Sequence, residues 1–469
     1  MQGQLWQWDA VDLAQAIRTR AISTREAVSA TLDRLQAVNP KINAVVQILA
    51  DQALAAARAA DEQVRRGEPL GPLHGVPVTI KVNTDQQDCA TTNGVVAFRD
   101  VIAETDAPPV ANWKKAGAIV IGHTNTPAFS WRWFTDNDLH GATLNPWNSA
   151  ITPGGSSGGA AAALATGIGA LAHGNDIGGS IRYPAYACGL VGIRPSFGRV
   201  PSFNASAPEE RPFTPQIMSV QGPLARRVRD LRIGLATMAG FDPRDPWWVP
   251  APLQGPPPTR PIRVAFCADP CGVGVAPSVA AAIRQAANWL AQAGYVVEEK
   301  APPDFMAVVE GWSAMLGTET RMGMLPQIEK YGDKAVQHMA RYFDKLTPSL
   351  DLQSWAKALA RRSTLLRAWM LFFEEYPLVL IPVSGEPPFP VGYDQGDDET
   401  LDRLVTAQRS QSPAPCLGLP GISVPTGFVD GLPMGVQLMA GRFREDLLFD
   451  AAEVIEARAP MPTPIDPRS

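Results

Sequence analysis

Short apolar runs alternate with helical patterns along much of this chain, and this alternation constrains the fold more than any other feature. The runs at residues 76–82 and 118–122 are bounded by glycine and proline, which indicates short buried strands. An alanine-rich segment at 51–66 and a further segment at 109–117 predict helices before and between those strands. Helices that alternate with strands in this way indicate an α/β domain.

Helical patterns also flank this region. We expect N-terminal helices across about residues 9–67, one of which begins at the capping box of residues 23–26 and ends before Pro40. Residues 303–375 carry Met, Trp and Leu at helical spacing, which predicts a helical cap region that lines a substrate pocket. The proline-dense segment 247–261 predicts a surface connection within the same domain.

Composition limits the class of protein. The 469 residues are 45% hydrophobic and 19% charged, which suits a soluble globular enzyme with a large core. A net charge of −5 argues against a surface for nucleic acid or anionic membrane. The first residues lack the basic and apolar regions of a secretion signal, and no apolar run reaches transmembrane length. We therefore expect a cytoplasmic protein with neither nucleic acid nor membrane as a partner.

The five cysteines are scattered along the chain. Cys267 and Cys271 have CxxxC spacing, but no second cysteine or histidine pair lies near them, so the pattern disfavours a zinc site. Thiols that are buried or idle in a reducing cytoplasm fit the sequence better. We expect neither a metal nor a cofactor.

Two serines lie among glycines in separate loops. Ser156 lies within the glycine-rich stretch 153–159, and Ser180 follows 24 positions later within 175–182. Glycine allows the chain to turn where a Cβ would clash and allows backbone N–H groups to approach a reacting atom. A serine in such a loop can act as a nucleophile where a base removes its proton.

We assign Ser180 as the nucleophile of an acyl-transfer reaction. Acyl transfer also needs donors for the developing oxyanion. The backbone N–H groups that precede the nucleophile are the candidates for this oxyanion hole, and they belong to Ile177, Gly178 and Gly179. Asp176 and Arg182 flank the same turn, and we expect them to support it by pairing with each other or with the backbone.

Lys81 is the candidate base, because it ends the apolar run that begins at Val76. A lysine must be neutral to accept a proton, and its ordinary pKa is about 10.4. Burial behind an apolar strand disfavours the charged form and lowers that pKa. We therefore expect Lys81 to be buried at the end of its strand.

Three other kinds of site fit this sequence less well. Residues 155–159 match G-x-S-x-G, but they follow a loop rather than the buried strand that a nucleophile elbow requires. A phosphate-binding loop needs Lys-Ser/Thr after the glycines, where this chain has Gly159-Ala160. A triad with histidine as base lacks support, because no motif marks any of the five histidines, namely His74, His123, His140, His173 and His338.

Further motifs extend through most of the chain, at 71–77, 122–127, 183–195, 418–425 and 431–438. Together with the lysine and the two serines in this order, they resemble the amidase signature family of serine hydrolases. The resemblance implies one α/β/α domain across the chain, with a large mixed, twisted β-sheet covered by helices. Members of the family often form homodimers, so the resemblance also makes a homodimer an expectation for this chain.

The family uses a Ser–cisSer–Lys triad and no catalytic histidine. The resemblance implies that Ser156, at a cis peptide bond, relays the proton of Ser180 to Lys81. The family's spacing between relay and nucleophile selects Ser156 over Ser157, so Ser157 is expected to hydrogen-bond the lysine or the loop. Two departures stand out, since Val82 replaces an aspartate that many members carry after the lysine, and Asn175 replaces a threonine.

The function we expect is hydrolysis of the C–N bond of apolar or aryl amides. Trp131, Trp133 and Phe134 lie in one aromatic loop and are predicted to flank the substrate pocket. Anilides, carbamates and esters react by the same route and stay open as small-molecule substrates. The alternative within the family is the glutamine-hydrolysing subunit of a tRNA-dependent amidotransferase. A catalytically inactive scaffold is disfavoured, because Lys81, Ser156 and Ser180 are all present.

Overall fold

Eleven strands hydrogen-bond into one sheet in the computed structural model, which describes residues 3–468. The strands are β1 (Val45–Ile48), β2 (Pro77–Lys81), β3 (Ile119–Thr124), β4 (Leu171–Asp176), β5 (Val191–Arg194), β6 (Val220–Ala225), β7 (Arg263–Phe266), β8 (Val296–Glu299), β9 (Leu378–Pro382), β10 (Gly421–Val429) and β11 (Leu432–Ala440).

Sixteen α-helices cover this sheet. They are α1 (Ala10–Arg18), α2 (Thr24–Ile42), α3 (Ala50–Arg66), α4 (Pro108–Lys115), α5 (Gly158–Ala165), α6 (Arg182–Cys188), α7 (Phe213–Met218), α8 (Val228–Met238), α9 (Pro277–Gln292), α10 (Phe305–Met322), α11 (Met324–Tyr331), α12 (Lys334–Leu346), α13 (Leu352–Glu375), α14 (Asp398–Gln408), α15 (Pro413–Leu417) and α16 (Glu445–Arg458).

The sheet is mixed, and its strand order is β1-β3-β2-β4-β6-β5-β10-β11-β9-β7-β8. Strand β2 pairs in parallel with both β3 and β4, whereas β4 pairs antiparallel with β6. The predicted fold class is therefore confirmed: the chain forms one α/β/α domain around a large mixed sheet. Because β2 and β4 are parallel neighbours, their carboxyl ends meet at one edge of the sheet, which is where such folds bind ligands.

Helix α2 begins where the sequence predicts and ends later than expected. The Ser23 hydroxyl accepts a hydrogen bond from the Glu26 N–H, so the capping box is confirmed. The expected end before Pro40 is wrong, because the helix continues to Ile42. The Asn39 side chain holds this last turn by binding the backbone of Val45 through both its oxygen and its nitrogen. These contacts tie the end of the helix to the start of β1, and the helix tolerates the backbone donor that Pro40 lacks.

Helix α5 follows the first glycine-rich loop and is buried on every side. A helix that is apolar all round lies inside a protein rather than on its surface. Its two N-terminal glycines allow close approach: a Cβ at Gly159 would lie 2.4 Å from the backbone nitrogen of Asn125. Close packing against the neighbouring strands fixes where the residues before the helix lie, and these include Ser156.

Residues 303–375 are helical, as predicted, and they form α10 to α13. Their apolar side chains build a second core cluster around Trp312, Trp369 and Met315. Trp369 is fully buried. Among residues 3–468, no helix is both long enough and apolar enough to cross a bilayer.

The packing of α5 gives a testable prediction for stability. Gly159→Ala should lower the free energy of unfolding by about 1–3 kcal/mol, because the new methyl group meets backbone atoms that cannot move aside easily. Gly311→Ala is the matched control in α10, since its Cβ would meet nothing closer than 3.9 Å. Urea denaturation should show that Gly311→Ala is neutral or stabilising by up to ~1 kcal/mol. Equal effects of the two substitutions would contradict the packing described for α5.

Candidate active site

Lys81 ends β2, and Asn175 and Asp176 end the parallel neighbour β4. Every residue of β2 is buried, so the chain delivers Lys81 to the sheet edge with its side chain shielded from bulk water. The Lys81 side chain is 0% exposed. This position agrees with the expectation that Lys81 is buried at the end of its strand.

The Lys81 amine lies between two neutral polar groups. Its Nζ is 2.7 Å from Ser156 Oγ and 2.8 Å from Asn175 Oδ1. Burial lowers the pKa of Lys81 well below 10.5, and the charge of Asp176 opposes that shift without overcoming it. A neutral amine can accept a proton, so the geometry and the lowered pKa both suit Lys81 to act as a base.

Asn175, one of the two departures from the family pattern, contacts the lysine directly. Its side-chain nitrogen donates to Asn83 Oδ1 at 2.9 Å, and Asn83 in turn donates to Ser130 Oγ at 2.8 Å. Ser130 then donates to Asn93 at 2.7 Å. This polar chain fixes the amide that faces Lys81. Sequence reasoning noted the unusual residue but gave it no role, because the contact joins the ends of two strands.

The two serine loops are joined through their backbones. The Gly155–Ser156 peptide bond is cis, as the resemblance implies for the relay serine. The Ser157 N–H donates to the carbonyl of Ser180 at 3.2 Å. Among the described residues, the Ser157 hydroxyl has no hydrogen-bond partner, so the expected side-chain bond to the lysine or the loop is not present. Ser157 supports Ser180 through its backbone instead.

Asp176 and Arg182 form a fully buried ion pair beneath the second loop. Arg182 donates to the two carboxylate oxygens of Asp176 at 2.9 and 3.0 Å, and Asp176 also accepts from the Gly179 and Ile181 N–H groups. Burial alone would raise the pKa of Asp176, but Arg182, Arg194 and the Gly179 hydrogen bond together lower it to about 2. The pair shapes the turn that carries Ser180, as the sequence predicts.

The predicted oxyanion donors divide into two kinds. The Gly179 N–H already donates to Asp176 Oδ1 at 2.9 Å, so it is not available to an oxyanion. Gly179 instead allows the turn itself, since its φ is +102° and a Cβ there would lie 2.6 Å from the Gln411 side chain. The N–H groups of Ile177 and Gly178 make no hydrogen bond to the described residues. Like the N–H of Ser180, which also makes no hydrogen bond to the described residues, they are donors that the loop leaves free.

An aromatic pocket opens beside Ser180. Its walls include Trp131 and Trp133 from the predicted aromatic loop, and Trp312, Leu316 and Phe343 from α10 and α12. Phe343 packs against both loop tryptophans, with ring centroids 6.3 Å and 5.8 Å apart. We use the name aromatic pocket for this cavity. The residues on α10 and α12 were not identified individually from the sequence, because helical spacing of large side chains is equally typical of plain core.

Phe134 does not line the aromatic pocket. Its side chain is 2% exposed and belongs to the main hydrophobic core. Two of the three predicted pocket aromatics therefore lie at the cavity, and the third packs inward because it lies where the loop is tied to the interior. The Thr135 hydroxyl next to it donates to the Gly154 carbonyl at 2.8 Å, which joins that end of the loop to the serine loop.

A second, larger cavity of about 680 Å³ meets the aromatic pocket at Ser180. Its inner wall carries Ser156, Asn83 and Asn175, and its outer part is lined by charged residues that include Glu209 and Glu210. We call it the polar cavity. The name reflects a lining that is more polar than that of the aromatic pocket, and Ser180 lies where the two cavities join.

The buried histidines hydrogen-bond to uncharged groups. His173 hydrogen-bonds Gln221 at 2.9 Å, and His123 hydrogen-bonds Gln86 at 3.0 Å. Burial is the main cause that lowers the pKa of His173 to about 3 and that of His123 to about 4. His74 binds the carbonyl of Ala60 at 3.1 Å. These contacts agree with a structural role for the histidines. Within residues 3–468, no cluster of His, Cys, Asp and Glu has the arrangement of a metal site.

The buried amine gives a prediction for stability and pH. Between the lowered pKa of folded Lys81 and its ordinary value of 10.5, the unfolded chain binds one more proton than the folded chain, so stability rises with pH across that window. Lys81→Met cannot titrate. Its free energy of unfolding relative to the wild type should therefore be higher at pH 7 than at pH 10.

Urea denaturation at the two pH values measures this difference. Lys357→Met removes an exposed lysine from α13 and controls for the loss of a positive charge. If Lys81→Met differs from the wild type by the same amount at both pH values, the amine is not neutralised by folding.

Comparison with known proteins agrees with this geometry. The amidase family model matches residues 26–449. Indoleacetamide hydrolase of Bradyrhizobium diazoefficiens is 51% identical over 459 residues, which cover 98% of this chain and 88% of that protein. A glutamyl-tRNA(Gln) amidotransferase subunit of Moorella thermoacetica is 32% identical, and the match covers 97% of each chain.

A solved structure agrees as well. The crystal structure of a bacterial aryl acylamidase of the amidase signature enzyme family superimposes with a TM-score of 0.84 at 26% identity, over 97% of each chain. Sequence, fold and the grouping of a buried lysine with two glycine-flanked serines all lead to the same assignment. This chain belongs to the amidase signature family, and it is an amide hydrolase.

Proposed function

We propose that this enzyme hydrolyses arylacetamides, with a flat aromatic acyl group in the aromatic pocket and Ser180 as the nucleophile. The observation that carries the proposal is the apolar aromatic wall beside Ser180, to which Trp131, Trp133 and Trp312 contribute. Large aromatic side chains favour flat apolar partners. The relative named indoleacetamide hydrolase, at 51% identity, supports an acyl group the size of indoleacetyl.

The proposed reaction begins with attack by Ser180 Oγ on the amide carbonyl carbon. The Ser180 proton passes to Ser156 Oγ, and the proton of Ser156 passes to Lys81 Nζ, which lies 2.7 Å away. Reversal of this relay delivers the proton to the leaving nitrogen as the C–N bond breaks, which leaves an acyl-enzyme. Water then attacks the acyl-enzyme by the same relay, and the acid and free Ser180 result.

The developing oxyanion is proposed to accept from the free N–H groups of Ile177 and Gly178. Such donors are held in place before the reaction, so they stabilise the transition state without reorganisation. Gly179 contributes the shape of the turn rather than a donor, because its N–H donates to Asp176. The leaving amine is proposed to depart through the polar cavity, whose inner wall carries Ser156 and Asn175.

Glutamine hydrolysis, the alternative within the family, receives less support. Glutamine carries an ammonium and a carboxylate, which need charged partners in a pocket. The two charged residues that line the aromatic pocket are both already paired: Arg132 binds Asp394, and Asp344 binds Arg321. The 32% identity to an amidotransferase subunit fits shared ancestry within the family. Anilides, aryl carbamates and esters share the acyl-enzyme route and serve as comparison substrates.

This proposal predicts a strong preference for aryl substrates. Burial of about 200 Å² of aromatic surface at ~25 cal/mol/Å² gives an upper value of roughly 5 kcal/mol, so kcat/KM for indole-3-acetamide should exceed that for acetamide by at least ~10²-fold. Steady-state kinetics with both amides, glutamine, an anilide, an aryl carbamate and a p-nitrophenyl ester measures the preference. Ser180→Ala should bind indole-3-acetamide and not turn it over. Similar kcat/KM values for acetamide and indole-3-acetamide, or a preference for glutamine, would contradict the proposal.

A further inference from the structure

We propose that Trp312 orients the oxyanion hole as well as lining the aromatic pocket, so that the wall that binds the aryl group also holds the Gly178 N–H in place. This inference rests on the proposed function. It assigns Trp312 as a positioning residue, because its contact with the reacting atoms runs through the peptide bond between Ile177 and Gly178.

Two indole rings hold successive carbonyls of the loop that precedes Ser180. Trp312 Nε1 donates to the Ile177 carbonyl at 2.9 Å, and Trp133 Nε1 donates to the Gly178 carbonyl at 2.8 Å. Trp312 also packs directly on the loop, since a Cβ at Gly178 would lie 3.1 Å from Cζ2 of its ring. The loop is therefore fixed by hydrogen bonds from two elements, one from α10 and one from the aromatic loop.

Each indole acts on the N–H group that belongs to the same peptide unit as the carbonyl it binds. A trans peptide unit is planar and holds its C=O and its N–H on opposite edges, so a hydrogen bond to one edge fixes the direction of the other. The Ile177 carbonyl and the Gly178 N–H belong to one such unit. A donor on the carbonyl also polarises the amide, which strengthens the N–H as a donor. Trp312 therefore both orients and strengthens the free N–H of Gly178.

The second indole acts on a different peptide unit. The Gly178 carbonyl shares its plane with the Gly179 N–H, and that N–H donates to Asp176. Both the carbonyl and the N–H of this peptide unit are hydrogen-bonded, so the unit stabilises the turn and offers no donor to an oxyanion. Of the two indoles, Trp312 is thus the one attached to a donor that is free for an oxyanion.

Trp131 supplies a matched control. It lines the same pocket as Trp312, but its indole N–H has no hydrogen-bond partner among the described residues. Trp131→Phe therefore removes ring area from the wall without removing a hydrogen bond. Trp312→Phe removes ring area and the hydrogen bond to the loop.

The experiment compares these two variants with indole-3-acetamide. Trp312→Phe should raise KM as Trp131→Phe does, and it should also lower kcat by about 10-fold, which is less than the ~10²–10³-fold loss when an oxyanion donor is removed altogether. Trp131→Phe should raise KM and leave kcat near the wild-type value. In Trp312→Phe, binding of an arylmethylboronic acid, which forms a tetrahedral adduct on a serine, should weaken about 10-fold more than binding of the product arylacetic acid, whereas Trp131→Phe should weaken the two equally.

The outcomes separate this inference from the proposed function. If the wild type does not turn over arylacetamides, the proposed function is wrong. If the wild type is active and Trp312→Phe only raises KM, as Trp131→Phe does, the positioning role is wrong. Should Trp312→Phe not fold, judged by circular dichroism, the indole at position 312 can be replaced with 3-benzothienylalanine, which keeps the ring shape and lacks the N–H. A kcat equal to that of the wild type in that variant would overturn the inference.

Discussion

The contact between the Lys81 amine and the Ser156 hydroxyl is the interaction on which the rest of the site depends. A lysine with no exposed surface folds at a cost unless it is neutral, and its two neighbours at 2.7 and 2.8 Å are a hydroxyl and an amide rather than a carboxylate. Neutral partners do not offset the lowering of the Lys81 pKa by burial, so the amine stays uncharged and able to accept a proton. The parallel pairing of β2 with β4 creates this arrangement, because it brings the lysine at the end of one strand to the asparagine at the end of the next.

A buried ion pair lies next to the proposed proton relay. The buried pair of Asp176 and Arg182 fixes the turn that carries Ser180, and it does so through hydrogen bonds to backbone N–H groups as well as through charge. Truncating one member of such a pair leaves an uncompensated buried charge, which makes the pair a strong constraint on local structure. In this account the proposed proton relay supplies the chemistry, and the ion pair fixes the shape of the loop. Indole rings from the pocket walls hold the carbonyls of the same loop, so the proposed substrate pocket and the proposed oxyanion hole share residues.

Sequence patterns predict the parts of this molecule that local chemistry determines. The Ser23 capping box, the buried strand that ends at Lys81 and the helices of 303–375 all follow from periodicity and composition. Contacts between distant segments are not visible in that way. The bond from Asn175 to Lys81 and the inward packing of Phe134 each depend on a partner elsewhere in the chain. The sequence also does not show that the Gly179 N–H is already used. Its acceptor, the Asp176 carboxylate, is identified only from the structure.

Acylation of Ser180 by way of a neutral Lys81 is the step on which the proposed catalysis depends most. Rapid-quench mass spectrometry with a p-nitrophenyl arylacetate tests this directly, because peptide mapping identifies the serine that carries the arylacetyl group. In the wild type, the group should appear on the peptide that contains Ser180 within one turnover. In Lys81→Met, the acylation rate should fall by at least the ~10²–10⁴-fold expected when a general base is lost. An arylacetyl group on Ser156 or Ser157, or equal acylation rates in the wild type and Lys81→Met, would contradict this mechanism.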